Sequence, residues 1–150
     1  MAELLIVMSV AGVMALIAFP RFAAYRSTSA VRAARLEIVA VTEAARASAL
    51  QRGRTARVVL DNQSLRASVD TSAPNAPTAA MVTLALQRLD RTYGVTVTTG
   101  TGLDTLTIGY DARGFASPRR AAKLYVARGG VRDSVCVTSM GLLLPRGCAQ

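Results

Sequence analysis

From Leu4 to Phe19 the chain runs for sixteen residues without a charge, with Glu3 at its head and Pro20 at its foot. Nothing else in the sequence restricts the fold as strongly. The run falls slightly short of the roughly 20 residues that cross a bilayer as a helix. A carboxylate in hydrocarbon costs about 2.5–3.5 kcal/mol even on lenient scales, and a proline inside a helix costs about 3 kcal/mol. A cleavable secretory signal would carry positive charge before its apolar stretch and a small-x-small site after it. Here the flank is Met-Ala-Glu and no such site follows. A core helix of a soluble protein explains neither Glu3 nor the one-sided polarity. A membrane anchor fits best, leaving the apolar phase at Arg21 and Arg26.

The helical pattern does not stop there. After Pro20 neither proline nor glycine occurs until Gly53, and Ala, Arg, Leu and Glu dominate, all good helix formers. Phe22, Tyr25, Leu36, Ala40, Ala47 and Leu50 fall on one helical stripe, with arginine over much of the rest. Glu43 and Arg46 stand three apart, close enough for their side chains to meet. Gly53 supplies a C-cap. The reading is a single helix of about fifty residues, kinked at Pro20, with a membrane half (1–20) and an amphipathic half (21–53).

From residue 54 the pattern changes to period two. ARVVLD and SLRASV flank Asn62–Gln63 and form a hairpin. TSAPNAP (71–77) is a loop. TAAMVTLALQRLD alternates like a strand, yet spaces Met81, Leu84, Ala85 and Leu89 like a short helix. YGVTVTT, LTIGYD, KLYVAR and SVCVTS are short, β-branched or aromatic, and bounded by glycine-bearing turns. The expected fold class is α+β: one long N-terminal helix packed on about six or seven antiparallel strands in a domain spanning 54–150.

Composition narrows the chemistry. Histidine is absent, which removes the commonest general base and metal ligand. No catalytic, cofactor-binding or metal-binding residue is assigned. Lys123 is the single lysine that could activate a serine, and TTGTGLDT lacks the spacing of a phosphate-binding loop. The formal net charge of +9 would suit nucleic acid, anionic lipid or an acidic partner. Two cysteines, Cys136 and Cys148, bracket Gly141, Pro145 and Gly147 near the C-terminus. They read as a disulfide closing a terminal loop in an oxidising compartment, with two free buried thiols as the alternative.

A long helix, apolar then amphipathic, feeding a small β domain resembles the plan of type IV pilin-like proteins. The residues that carry the resemblance are AELLIVMSVAGVMALIAFPRF: Glu3-Leu4-Leu5-Ile6-Val7 matches the family's mature N-terminus, and Pro20 stands at the family's spacing from the glutamate. EAARASALQRGRTARVVLD, LTIGYDARGFA and VCVTSMGLLLPRGC are similar, more loosely, to the GspH/FimT group. Family members carry a leader ending in glycine before a methylated phenylalanine. This chain shows neither, which implies that the start was placed too late or that the leader was left out.

The resemblance implies a structural minor pseudopilin of a type II secretion system, or a minor pilin of a type IV pilus, at or near the filament tip. Its partners would be other minor and major subunits and, through the N-terminal helix, the bacterial inner membrane, with the β domain in the periplasm. Glu3 would meet the N-terminal amine of a neighbouring subunit. The bland alternative is an acid reaching the interface from a helix end. A second reading is a FimT-like minor pilin that binds DNA, through Arg113, Arg119, Arg120, Lys123 and Arg146. The DNA-binding members share a basic G-R-x-R loop, however, and the matching stretch here is Gly141-Leu142-Leu143-Leu144-Pro145-Arg146.

Overall fold

The computed structural model describes residues 2–72, 80–100, 105–117 and 121–144, less the side chains of residues 2, 4–6, 11, 15, 17–20 and 117. Most of the 71–77 loop, together with Arg119, Arg120, Arg146 and Cys148, lies outside the described residues.

Helix α1 spans Ala2–Arg52 and stays helical through Pro20. It ends where the sequence places the cap. Gly53 adopts φ 60°, its N–H reaches the Leu50 carbonyl at 3.4 Å, and the Arg54 N–H reaches Ala49 at 3.1 Å. That pair of bonds is the Schellman arrangement, which satisfies carbonyls otherwise orphaned at a helix end. Glu43 and Arg46 meet across one turn at 3.9 Å. Among the described residues no helix is long and apolar enough to cross a membrane.

Among the described residues nine strands follow, in two antiparallel sheets. The first holds β1 (Ala56–Asp61), β2 (Ser64–Asp70), β3 (Met81–Arg88), β5 (Thr105–Tyr110) and β6 (Ala116–Ser117), ordered β3-β2-β1-β5-β6. The second holds β4 (Thr96–Thr99), β7 (Ala122–Arg128), β8 (Val131–Val137) and β9 (Leu143–Leu144), ordered β4-β7-β8-β9. Two strands beyond the expected number are the two-residue pieces β6 and β9, too short to show any period.

Local chemistry explains the turns. Asp61 closes the β1–β2 hairpin by accepting from the Gln63 amide at 2.8 Å, the Ser64 amide and the Ser64 hydroxyl at 2.7 Å. The ambiguous stretch after residue 78 turns out to be both things in succession. It is strand to Arg88, then the short helix α2 (Leu89–Tyr93), closed by Gly94 at φ 62°. Of its apolar residues, Leu89 is buried, Ala85 is half-buried, and Met81 and Leu84 are exposed on an edge strand. Burial of Leu89 next to α1, which α2 touches, is what draws the chain out of the sheet there.

Helix α1 lies against both sheets, touching β1, β2, β5, β7 and β8. The core joins Val31, Ile38, Ala45 and Ala49 of the helix to Val58, Leu60, Leu65, Val69, Tyr110, Leu124, Val126 and Val135 of the strands. Burial of apolar area stabilises by about 25 cal/mol per Å², and this seam is where helix and sheets bury theirs together.

Candidate assembly surface

The helix carries two apolar faces. Val31, Ala34, Ile38, Val41, Ala45 and Ala49 are buried against the sheets. The stripe foreseen from the sequence is the other one. Phe22 is 63% exposed, Tyr25 72%, Leu36 59% and Leu50 51%, and Ala40 and Ala47 are exposed too. Leu36 and Ile38 show why: two residues apart means roughly 200° around the axis, so they sit on opposite sides. The expected stripe therefore exists but lies opposite the face buried against the sheets, meeting the β domain only at its two ends, near Arg128 and Gly114. Small side chains face the sheets because two layers close on the helix there, and alanine permits that approach.

Polar contacts hold this orientation. The Arg35 guanidinium donates to the Asp133 carboxylate of β8 at 2.9 Å. Arg46 Nε donates to the Gly114 carbonyl in the β5–β6 turn at 2.9 Å. Buried Thr42 donates to the Ile38 carbonyl one turn back at 2.7 Å, which satisfies its hydroxyl inside the helix. With those bonds in place the helix cannot roll to bury Leu36 without losing both arginine anchors.

Glu3 stands exposed in the first turn of α1, where a carboxylate suits the positive end of the helix dipole. Pro20 lies within the helix. Among the expected DNA contacts, Arg113 is exposed in the β5–β6 turn and Lys123 is half-buried on β7; Arg119, Arg120 and Arg146 lie outside the described residues. The structure does not gather the described pair into one cluster. It places Lys123 beside Tyr125, Nζ lying 5.3 Å from the ring centroid, with the Arg132 guanidinium over the same ring at 3.8 Å. Arg132 sits opposite Ala127, and Tyr125 opposite Ser134, so the pairing is a cross-strand diagonal. Sequence reading missed it because it depends on register.

Cys136 is buried, and no free cysteine is found among the described residues. Of the three leucines in the closing loop, Leu143 packs against the core while Leu142 and Leu144 are 42% and 41% exposed. Among the described residues no group of His, Cys, Asp and Glu side chains could hold a metal. An open groove of about 490 Å³ lies along β1 and β5, with Arg57 and Asp111 at its wall. The Asp111 carboxylate is already occupied there by the Arg113 and Phe115 amides, each at 2.9 Å.

No family model matches the chain, and no curated protein matches it. Solved structures do. One crystal structure of the type IV minor pilin FimU from Pseudomonas aeruginosa matches with a TM-score of 0.60 at 14% identity, covering 78% of this chain and 88% of that one. A second crystal form of FimU matches with a TM-score of 0.57 at 14% identity, covering 77% and 92%. The chain has a type IV pilin-like fold.

Proposed function

We propose that the chain is a structural filament subunit of the GspH/FimT group, a minor pseudopilin of a type II secretion system or a minor pilin of a type IV pilus. The observation that carries this reading is the second apolar face of α1, from Phe22 to Leu50, whose large side chains stay more than half exposed. Large apolar side chains on a solvent-facing helix are unusual unless something packs on them. Neighbouring pilin-like subunits are the partners proposed. Residues 1–20 serve as membrane anchor and filament core, residues 21–53 as the packing continuation, and residues 54–150 as a periplasmic β domain. No chemistry is assigned to any residue.

Glu3 supplies register. An acid in an apolar bundle is tolerable once a positive group meets it, and the N-terminal amine of a neighbour is that group. Pro20 removes one backbone bond and so marks where the membrane half can bend against the periplasmic half. The test is Glu3→Ala in the full-length protein, scored by crosslinking into minor-subunit complexes and recovery in sheared filaments. Reduced incorporation is expected; unchanged incorporation would refute the charge pairing.

The second reading, a DNA-binding minor pilin, is favoured by one observation: Lys123 and Arg132 flank Tyr125 on the outward side of β7 and β8. Binding through a few arginines should steepen with salt by about 0.9 per phosphate in the log–log slope. Micromolar binding at near-physiological salt that Arg119→Ala/Arg120→Ala/Lys123→Ala abolishes would place this reading first.

A further inference from the structure

The uncharged run is too short for the bilayer it is proposed to cross. Sixteen residues span about 24 Å as a helix, against about 30 Å of hydrocarbon. With Glu3 at one boundary, the other falls about twenty residues on, at Arg21 to Ala24, where the long Arg21 side chain reaches the headgroups from the boundary. Tyr25, Arg26 and Ser29 then stand in the headgroup layer.

At that level the structure opens a groove of about 370 Å³ between the helix and the β domain, with Phe22, Tyr25, Arg26, Ser29, Tyr93 and Arg128 among its walls. The β7–β8 turn reaches down to meet the helix. At Gly129 an added Cβ would stand only 2.9 Å from the Ser27 hydroxyl. Arg128 Nη1 donates to the Tyr93 carbonyl, which holds one side of the guanidinium and leaves its other N–H groups to a ligand. Arg26 is exposed and forms no ion pair among the described residues. Arg21 and Arg91, both exposed, flank the groove in sequence. Asp90, the acid nearest Tyr93 in sequence, is occupied by Arg88 at 2.8 and 3.0 Å.

We propose that this groove binds the phosphate headgroups of anionic phospholipids, and that it seats the membrane-facing end of the β domain on the bilayer before the subunit enters a filament. The proposal rests on the membrane-anchored reading above. Guanidinium groups match phosphate oxygens with two parallel hydrogen bonds. Phe and Tyr beside them are suited to a layer with one apolar and one wet side. Each arginine near an anionic surface strengthens association by about fivefold, so Arg26 and Arg128 together supply roughly 30-fold. Phe22 and Tyr25 also belong to the outward helix face, so lipid and neighbouring subunit occupy them in succession, lipid first.

The test uses the full-length chain in nanodiscs of phosphatidylcholine alone, or with roughly one-third phosphatidylglycerol. Amide hydrogen exchange is followed at residues 91–94 and 128–130. Exchange there should slow by about 30-fold in the anionic disc, and by about fivefold less in Arg26→Gln. Arg26 lies on an exposed helix surface, so its variant stays interpretable even where Arg128→Gln unfolds the turn. Equal exchange in both discs, with residues 4–19 protected, would overturn the headgroup site and leave the anchor standing. Slowing by inorganic phosphate in the neutral disc would overturn it in favour of a free-anion site. A chain that does not insert at all would end both readings.

Discussion

Arg35 on α1 and Asp133 on β8 stand 98 residues apart in sequence and meet at 2.9 Å. This pair ties the helix to the second sheet and, with the Arg46–Gly114 bond, sets which helix face is buried. Both side chains are only partly exposed, at 18% and 35%, so solvent screens them less than an open surface pair. Asp133→Ala and Arg35→Ala should each cost about 1–3 kcal/mol, with clear coupling in the double variant. Urea unfolding of all four proteins measures it, and additive losses would show that the pair contributes nothing jointly.

Tyr110 places an alkaline limit on the domain. Its hydroxyl donates to the Gly141 carbonyl at 2.9 Å inside the core. Burial pushes its pKa up to about 12, with the Glu43 charge adding to the rise and Arg46 opposing it. The folded pKa therefore exceeds the unfolded value of about 10. The associated stability is fully present below about pH 10 and is lost as pH rises through about 12. Its size is roughly 2–3 kcal/mol. Thermal melts across that range should show the loss in the wild type and not in Tyr110→Phe.

Gly141 is the other half of that contact. It holds φ 83°, and an added Cβ would lie 2.7 Å from the Tyr110 ring and 2.8 Å from Ala116 Cβ. Gly141→Ala should destabilise by more than about 1 kcal/mol, since both backbone conformation and space oppose it. Stability equal to wild type in a denaturant titration would contradict the tight β8–β9 corner.

The two helix faces should separate folding from assembly. Ile38→Ala removes a fully buried side chain and should cost about 2–5 kcal/mol. Leu36→Gln, on the exposed face, should change stability by no more than about 0.5 kcal/mol while reducing crosslinks to neighbouring subunits. A Leu36→Gln protein that unfolds as readily as Ile38→Ala would mean the faces are misassigned.

The proposed bridge from Cys136 to Cys148 closes a loop of about a dozen residues and should contribute on the order of 3 kcal/mol. Labelling unreduced, unfolded periplasmic protein should find no reactive thiol. Two labelled thiols per chain would remove the bridge and weaken the periplasmic assignment.

Much of the architecture was legible because local chemistry announces it. The glycine at residue 53 ends a proline-free run, Asp61 and Ser64 bracket a hairpin, and apolar residues at every second position, Ala56, Val58 and Leu60 in β1 and Leu124 and Val126 in β7, set strand faces. The two-residue strands were not legible, since a period cannot show itself in so few positions. Neither was the Lys123–Tyr125–Arg132 stack, since Arg132 reaches Tyr125 only through the β7–β8 register.

The sequence by itself determined that one helix of about fifty residues, with an acid at its head, runs to a cap at Gly53, and that a β domain follows. Helix propensity, spacing and capping are local properties, so they can be read along the chain. Only the tertiary structure decided which side of that helix meets the sheets. Two apolar faces lie on opposite sides of α1, and periodicity gives each an equal claim. The larger side chains, Phe22, Tyr25 and Leu36, lost to Ala34, Ala45 and Ala49 because two closing sheets leave room beside the helix axis for small residues, and because Arg35 and Arg46 find their partners only in that orientation.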